Sequence, residues 1–198
     1  FEARAALADS QAVTEFLTGM LGAIDPELAR GEEISVRQLL DQTAATIPEL
    51  SERPRVALAV RTTLGNTYRA LGLWSEAMPH LVAARELAER VHGEESVQAL
   101  TLGRAIAITM SDLNDPTVAL ERMIEVVAAM ERVAGETSPE TALAVGDLGR
   151  LFVETGQIEE AERTLRRAID LTRASLGPRH PELLTQRDHL GALMTDMG

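Results

Sequence analysis

Asp188 and His189 stand side by side and are the one acid and imidazole pair whose types could share a metal ion or move a proton. The other histidines suit packing better. His180 falls in a connector between helices, where capping or packing is expected, and His80 and His92 fall on or near helices with solvent or interface roles. The chain has no cysteine, so disulfides and thiolate chemistry are excluded. It also lacks a Gly-rich phosphate loop, a His-x-x-x-His helix pair and a Gly-x-Ser-x-Gly elbow. Glu32 and Glu33 read as a polar loop. No catalytic residue, metal or cofactor is expected, and a small-molecule enzyme subdomain built on Asp188 and His189 is the weakest alternative.

The elements that position these residues come from a repeat. Leu64, Ile106, Leu148 and Leu190 lie 42 residues apart, and the same offset aligns Tyr68 with Met110, Phe152 and Met194. It aligns Gly72 with Asn114, Gly156 and Gly198, Ala77 with Ala119 and Ala161, Leu81 with Met123 and Leu165, and Gly93 with Gly135 and Gly177. A period of this size marks a solenoid, in which each unit buries its apolar face against its neighbours. Apolar residues recur within each copy at helical spacing, so each copy reads as two antiparallel helices.

Turn and cap residues fall in the same register. Gly72 and Gly156 stand where a helix end calls for positive φ, with Asn114 as the next best choice. Ser75, Asp115 with Pro116, Ser138 with Pro139, and His180 with Pro181 are expected helix starts. The small Ala77, Ala119 and Ala161 should let two helices approach, while Tyr68, Met110 and Phe152 fill the groove between copies. The middle copy departs at Met110, Asn114 and Val118, so looser packing or a different turn is expected there.

Residues 1–56 lie outside the register and read as an N-terminal helical cap. A helix is expected from Ala3 to Ile24, with Val13, Phe16, Leu17 and Met20 on one stripe. A second opens with the Ser35 and Gln38 capping box, runs to about Thr46 and stops at Ile47 and Pro48. Residues 57–198 form the array, with copies at about 57–98, 99–140 and 141–182 and a partial copy at 183–198.

Composition sets further limits. Of 198 residues, 45% are hydrophobic but only 3% aromatic, which favours Ala- and Leu-rich helix packing. The net charge of -12 argues against nucleic acid and anionic membrane surfaces, because both need clustered cations. Arg163, Arg166 and Arg167 sit beside Glu159, Glu160 and Glu162 and read as a salt-bridged face. All 19 basic residues are arginine. No run of 18 apolar residues occurs, so direct membrane insertion by this chain is not expected.

The string Leu64-Gly65-Asn66-Thr67-Tyr68-Arg69-Ala70-Leu71-Gly72 followed by Glu76-Ala77, and Leu148-Gly149 to Phe152 with Gly156 and Glu160-Ala161, resembles the tetratricopeptide repeat. The common repeat has about 34 residues; the longer unit here, with the connector from Leu176 to Glu182, is similar to that of kinesin light chains and related bacterial proteins. The resemblance implies an all-α, right-handed solenoid of antiparallel helix pairs. It also implies a noncatalytic module that binds a protein or peptide along its first helices. Carried over by register, the groove positions are Thr62, Asn66 and Arg69, then Arg104, Ile108 and Asp112, then Asp147, Arg150 and Glu154, then Asp188 and His189. Asn66 would bond a peptide backbone, Arg104 and Arg150 would clamp a carboxylate, and Ile108 would offer an apolar specificity pocket.

The string from Phe16 to Asp41 resembles the segment that joins the membrane span to the tetratricopeptide array in bacterial serine/threonine protein kinases. No kinase signature is present in the chain itself. The resemblance implies a bacterial sensor or scaffold region, soluble over this span, in the extracytoplasmic part of a membrane-anchored kinase. A cytoplasmic scaffold or self-association module unrelated to a kinase is the alternative. The turn position of Gly198 leaves an edge carried by Leu190, Leu193 and Met194, for a homo-oligomer contact or for a continuing array.

Overall fold

In the computed structural model the described residues are 36–50 and 52–196. The expected helix at Ala3 to Ile24 and the capping residue Ser35 lie outside them. Among the described residues all regular structure is helical. The helices are α1 (Val36–Thr46), α2 (Pro54–Ala70), α3 (Trp74–His92), α4 (Val97–Asp112), α5 (Pro116–Ala134), α6 (Pro139–Glu154), α7 (Ile158–Ser175) and α8 (Glu182–Asp196), with a 3-10 turn at Ile47–Leu50 after α1. The expected all-α solenoid of paired helices is the observed fold class. Two compact units divide between Val91 and His92.

The first helices α2, α4 and α6 end in the same way, because the turn residue accepts the left-handed conformation. Gly72, Asn114 and Gly156 have φ of 72°, 73° and 73°. In each copy the following N–H closes back on the helix: Leu73 to Tyr68 O at 2.9 Å, Asp115 to Met110 O at 3.1 Å and Gln157 to Phe152 O at 2.9 Å. This is the Schellman arrangement, which satisfies the last carbonyls of the helix. The middle copy therefore has the same turn as the others. Its packing is no looser either, since Ala119 and Met123 are fully buried.

The helix starts repeat as well. Ser96 accepts from Ala99 N–H at 3.2 Å and Ser138 from Thr141 N–H at 3.1 Å, while in the same register His180 Nδ1 accepts from Glu182 N–H at 3.3 Å. Asp115 caps α5 with Pro116 behind it. One expected start moves: α3 begins at Trp74, so Ser75 lies inside the helix and Leu73 O receives the first helical bond, from Ala77.

In the first unit, α1 lies against α2, burying Leu40, and Ile47 of the following turn is buried as well. Tyr68, 1% exposed, donates to Asp41 Oδ1 at 2.6 Å, and Arg37 reaches Glu76 at 2.5 Å. Burial first, and the Asp41 hydrogen bond second, hold the phenol well above its usual ionisation range. His80 stacks on Tyr68 with centroids 5.5 Å apart; burial and then Arg61 lower its pKa, opposed by Asp41.

The two helices of a copy approach at a glycine of the repeat strings, Gly65 or Gly149, as well as at the expected small residue Ala77 or Ala161. A Cβ at Gly65 would stand 2.6 Å from Leu81 Cδ2, and one at Gly149 would stand 2.8 Å from both Cδ2 and Cγ of Leu165. The middle copy carries Ala107 at this position and answers it with the unbranched Met123, both fully buried in one core cluster. Glycine meets leucine twice, and alanine meets methionine once. In the second unit this core holds Ala107, Ile108, Met123, Val145, Leu148 and Leu151. A polar pair replaces it at α8: Gln186, 1% exposed, donates to Thr172 Oγ1 at 3.0 Å. Gly146 makes room for it, since a Cβ there would lie 2.5 Å from the Gln186 amide nitrogen.

Candidate functional site

The first helices of the second unit bring a polar row together. Arg104 on α4 donates to Asp147 on α6 at 2.6 Å, with side chains 27% and 20% exposed. Farther along, Ser111 donates to Glu154, which also receives Arg150. Ion pairs with this much solvent contribute about 1 kcal/mol or less. Their main effect is to fix where charge sits.

Glu182, partly buried in the first turn of α8, belongs to the same neighbourhood. Burial pushes its carboxyl up and the Asp147 carboxylate adds to that, while Arg104, His180 and His189 oppose it.

The structure places the expected groove residues unevenly. Arg104, Asp147, Arg150 and Glu154 meet as described, so both arginines already hold carboxylates of this chain and are not open clamps for an incoming acid. One Arg150 nitrogen, Nη2, is buried without an acceptor. Ile108 is 8% exposed within the core cluster that includes Val145 and Leu148, so the expected apolar pocket is core packing instead. Asp112 is partly buried on α4, Asp188 is exposed and His189 partly buried on α8. In the first unit Thr62 spends its hydroxyl on Leu58 O at 2.8 Å, Arg69 is partly buried and Asn66 is exposed. Among the described residues no group of three or more His, Cys, Asp or Glu is arranged to hold a metal ion. No described helix is long and apolar enough to cross a membrane.

Sequence reading missed Ser111 and the role of Glu182. A usable signal for Ser111 existed, because both contacts between α4 and α6 span 43 residues, the repeat period plus one. Complementary polar residues at that offset mark neighbours on successive first helices.

The tetratricopeptide repeat family model matches residues 56–132 and 105–174. Among solved structures the chain is similar to BtubC (BKLC) from P. vanneervenii, with 20% identity, a TM-score of 0.68, and coverage of 99% of this chain and 84% of that one. It is similar to a kinesin light chain-type protein of Podosopora anserina with nearly identical TPR-like repeats, at 21% identity and TM-score 0.60 over 98% and 87% of the two chains. The apo form of RapI gives 16% identity and a TM-score of 0.72 over 94% of this chain and 64% of that one. Such low identities speak for fold alone. No curated protein matches the chain. The turns, the helix pairs and the family match agree, and the chain belongs to the tetratricopeptide repeat family.

Proposed function

We propose that this chain is a noncatalytic protein-binding module that takes an extended peptide along the first-helix face of its second unit. Tetratricopeptide repeats generally serve as protein-interaction scaffolds. The observation that carries the reading is the row formed by Arg104, Asp147, Ser111, Arg150 and Glu154, which is paired before any ligand arrives. A surface already held in place loses little side-chain entropy on binding. Its arginines are matched and Glu182 is strained toward its neutral form, so the row suits a peptide that brings cationic or amide donors.

The wider context we propose is the sensor or scaffold region of a bacterial serine/threonine kinase, with ligand binding biasing kinase dimerisation. That context rests on the resemblance of residues 16–41, most of which lie outside the described residues. The contacts Tyr68 to Asp41 and Arg37 to Glu76 support residues 1–56 acting as a cap on the array at 57–198. A kinase domain and a membrane span in the same reading frame would establish the context, and a reading frame without them would leave a free-standing scaffold.

The test is to pan a random peptide library against the chain and measure the selected peptides by fluorescence anisotropy. Binding should fall in Glu154→Ala/Glu182→Gln and persist in Arg122→Ala/Ile124→Ala, whose positions are exposed on α5. Equal binding by both double variants would place the ligand elsewhere.

A further inference from the structure

The helix α1 meets its neighbours through titratable side chains, whereas α5 and α6 of the second unit meet through apolar ones. Tyr68 on α2 donates to Asp41 of α1 at 2.6 Å, and Arg37 of α1 reaches Glu76 on α3 at 2.5 Å. In the same register the second unit carries Met110 and Phe152 in place of Tyr68, and the buried Gly103 and Val145 in place of Arg61. Tyr68 is nonetheless more deeply buried than Met110 or Phe152.

His80 on α3 lies against this contact. Its ring is nearly parallel to that of Tyr68, with 5.5 Å between centroids and 13° between planes, and its Nδ1 is buried with no hydrogen-bond partner. The charged and titratable groups around the stacked pair are Arg37 and Asp41 from α1, Arg61 from α2, and Glu76 one turn earlier on α3. A neutral imidazole leaves Nδ1 as an idle acceptor, whereas a protonated one turns it into a buried N–H with nothing to receive it. The new charge would also stand near Arg61. Burial first, and Arg61 second, accordingly hold the imidazole below its ordinary pKa of 6.5, with Asp41 opposing them.

Of the elements at this junction α1 is the least anchored. Its 11 residues are fewer than an isolated helix needs in water, and among its described residues only Leu40 and Thr43 are buried. Helices α2 and α3 interlock instead through Gly65 and Leu81 and bury Ala77 and Ala84 completely. A charge placed at the junction therefore expels α1 before it parts α2 from α3.

We propose that α1 is an acid-released strap, in which protonation of His80 undoes the docking of α1 on Tyr68 and uncovers that edge of the first unit. Below pH 6.5 the released state takes up a proton that the docked state disfavours, so docking weakens as pH falls and returns as it rises. One such proton shifts the docking equilibrium by at most about thirtyfold between pH 7.5 and 5. The strap is separate from the peptide face, since every group in it lies in the first unit.

Hydrogen exchange of the whole chain, read by mass spectrometry from pH 7.5 to 5, tests the strap because a released α1 is too short to keep its amides protected. Protection factors divide out the intrinsic pH dependence of exchange. In the wild type those of α1 should fall by about threefold to thirtyfold, while those of α6 hold. His80→Phe keeps a ring against Tyr68 but takes no proton, so its α1 protection should stay level; His80→Gln, which gives up the ring, should stay level too, from whatever starting value. Arg61→Gln removes a charge that opposes protonation in the docked state, so its fall should be smaller than that of the wild type. Level protection of α1 in the wild type, an equal fall in either His80 variant, a larger fall in Arg61→Gln, or a fall shared by α6 would each overturn the proposal.

Discussion

Gly149→Ala isolates the interlock between first and second helices. Two terms compete. Alanine is favoured over glycine in a helix by about 0.8 to 1.0 kcal/mol. Against that, the new Cβ would lie 2.8 Å from Leu165 Cδ2 and Cγ and 3.3 Å from the Leu165 backbone nitrogen. The Cγ branch point cannot swing aside as a chain end can, and overpacking of this kind costs about 1 to 3 kcal/mol. The net expectation is a loss of about 1 kcal/mol. Leu165→Met alone should cost under about 1.5 kcal/mol as a near-isosteric swap. The double variant reproduces what Ala107 and Met123 do in the middle copy, and should return to within about 0.5 kcal/mol of wild type. Urea unfolding followed by circular dichroism at a shared m-value measures all four proteins. The reasoning is refuted if the two single effects simply add, or if Gly149→Ala alone gains the full helix propensity.

Two further expectations concern single side chains. Asn114→Ala should cost about 1 to 2 kcal/mol, because φ is 73° there, whereas Asn114→Gly should be neutral or stabilising in the same urea assay. Glu182 has a folded pKa raised above 4.5, so the native state binds more protons than the unfolded state between those two values and stability falls as pH rises through that window. Glu182→Gln should therefore gain on wild type as pH climbs from 4 to 7 in parallel unfolding curves. A variant that instead loses ground would show that the α8 N-terminus favours the carboxylate more than burial and Asp147 oppose it.

The sequence made legible whatever the repeat writes into the backbone. Gly72, Asn114 and Gly156 could be read because positive φ admits few residue types, and Asp115 and Ser138 because caps do. Ser96 carries the same signal and was passed over, while Ser75 was a capping type that the helix did not use. Contacts across helices were harder. Ile108 looked exposed among polar neighbours in sequence, yet three-dimensional neighbours such as Leu148 bury it. Arg104 looked like a free cation because Asp147 stands 43 residues away. Register predicts which positions face alike, and side-chain length and partner decide what they touch.

Gln186 bears on how near-copies avoid mistaking one another. Its register neighbours are Val60, Leu102 and Ala144, and the register neighbours of its partner Thr172 are Ala88 and Met130. An array of similar helix pairs can mispair during folding or exchange elements between chains, since one apolar seat resembles the next. If α8 settled onto the seat meant for α6, the Gln186 amide would be buried beside Met130, with no hydroxyl to accept its hydrogen. That error carries the desolvation penalty of an unsatisfied amide, about 1 to 3 kcal/mol. One buried amide thus works as an address label, making the junction of α7 with α8 chemically distinct from the apolar junction of α5 with α6.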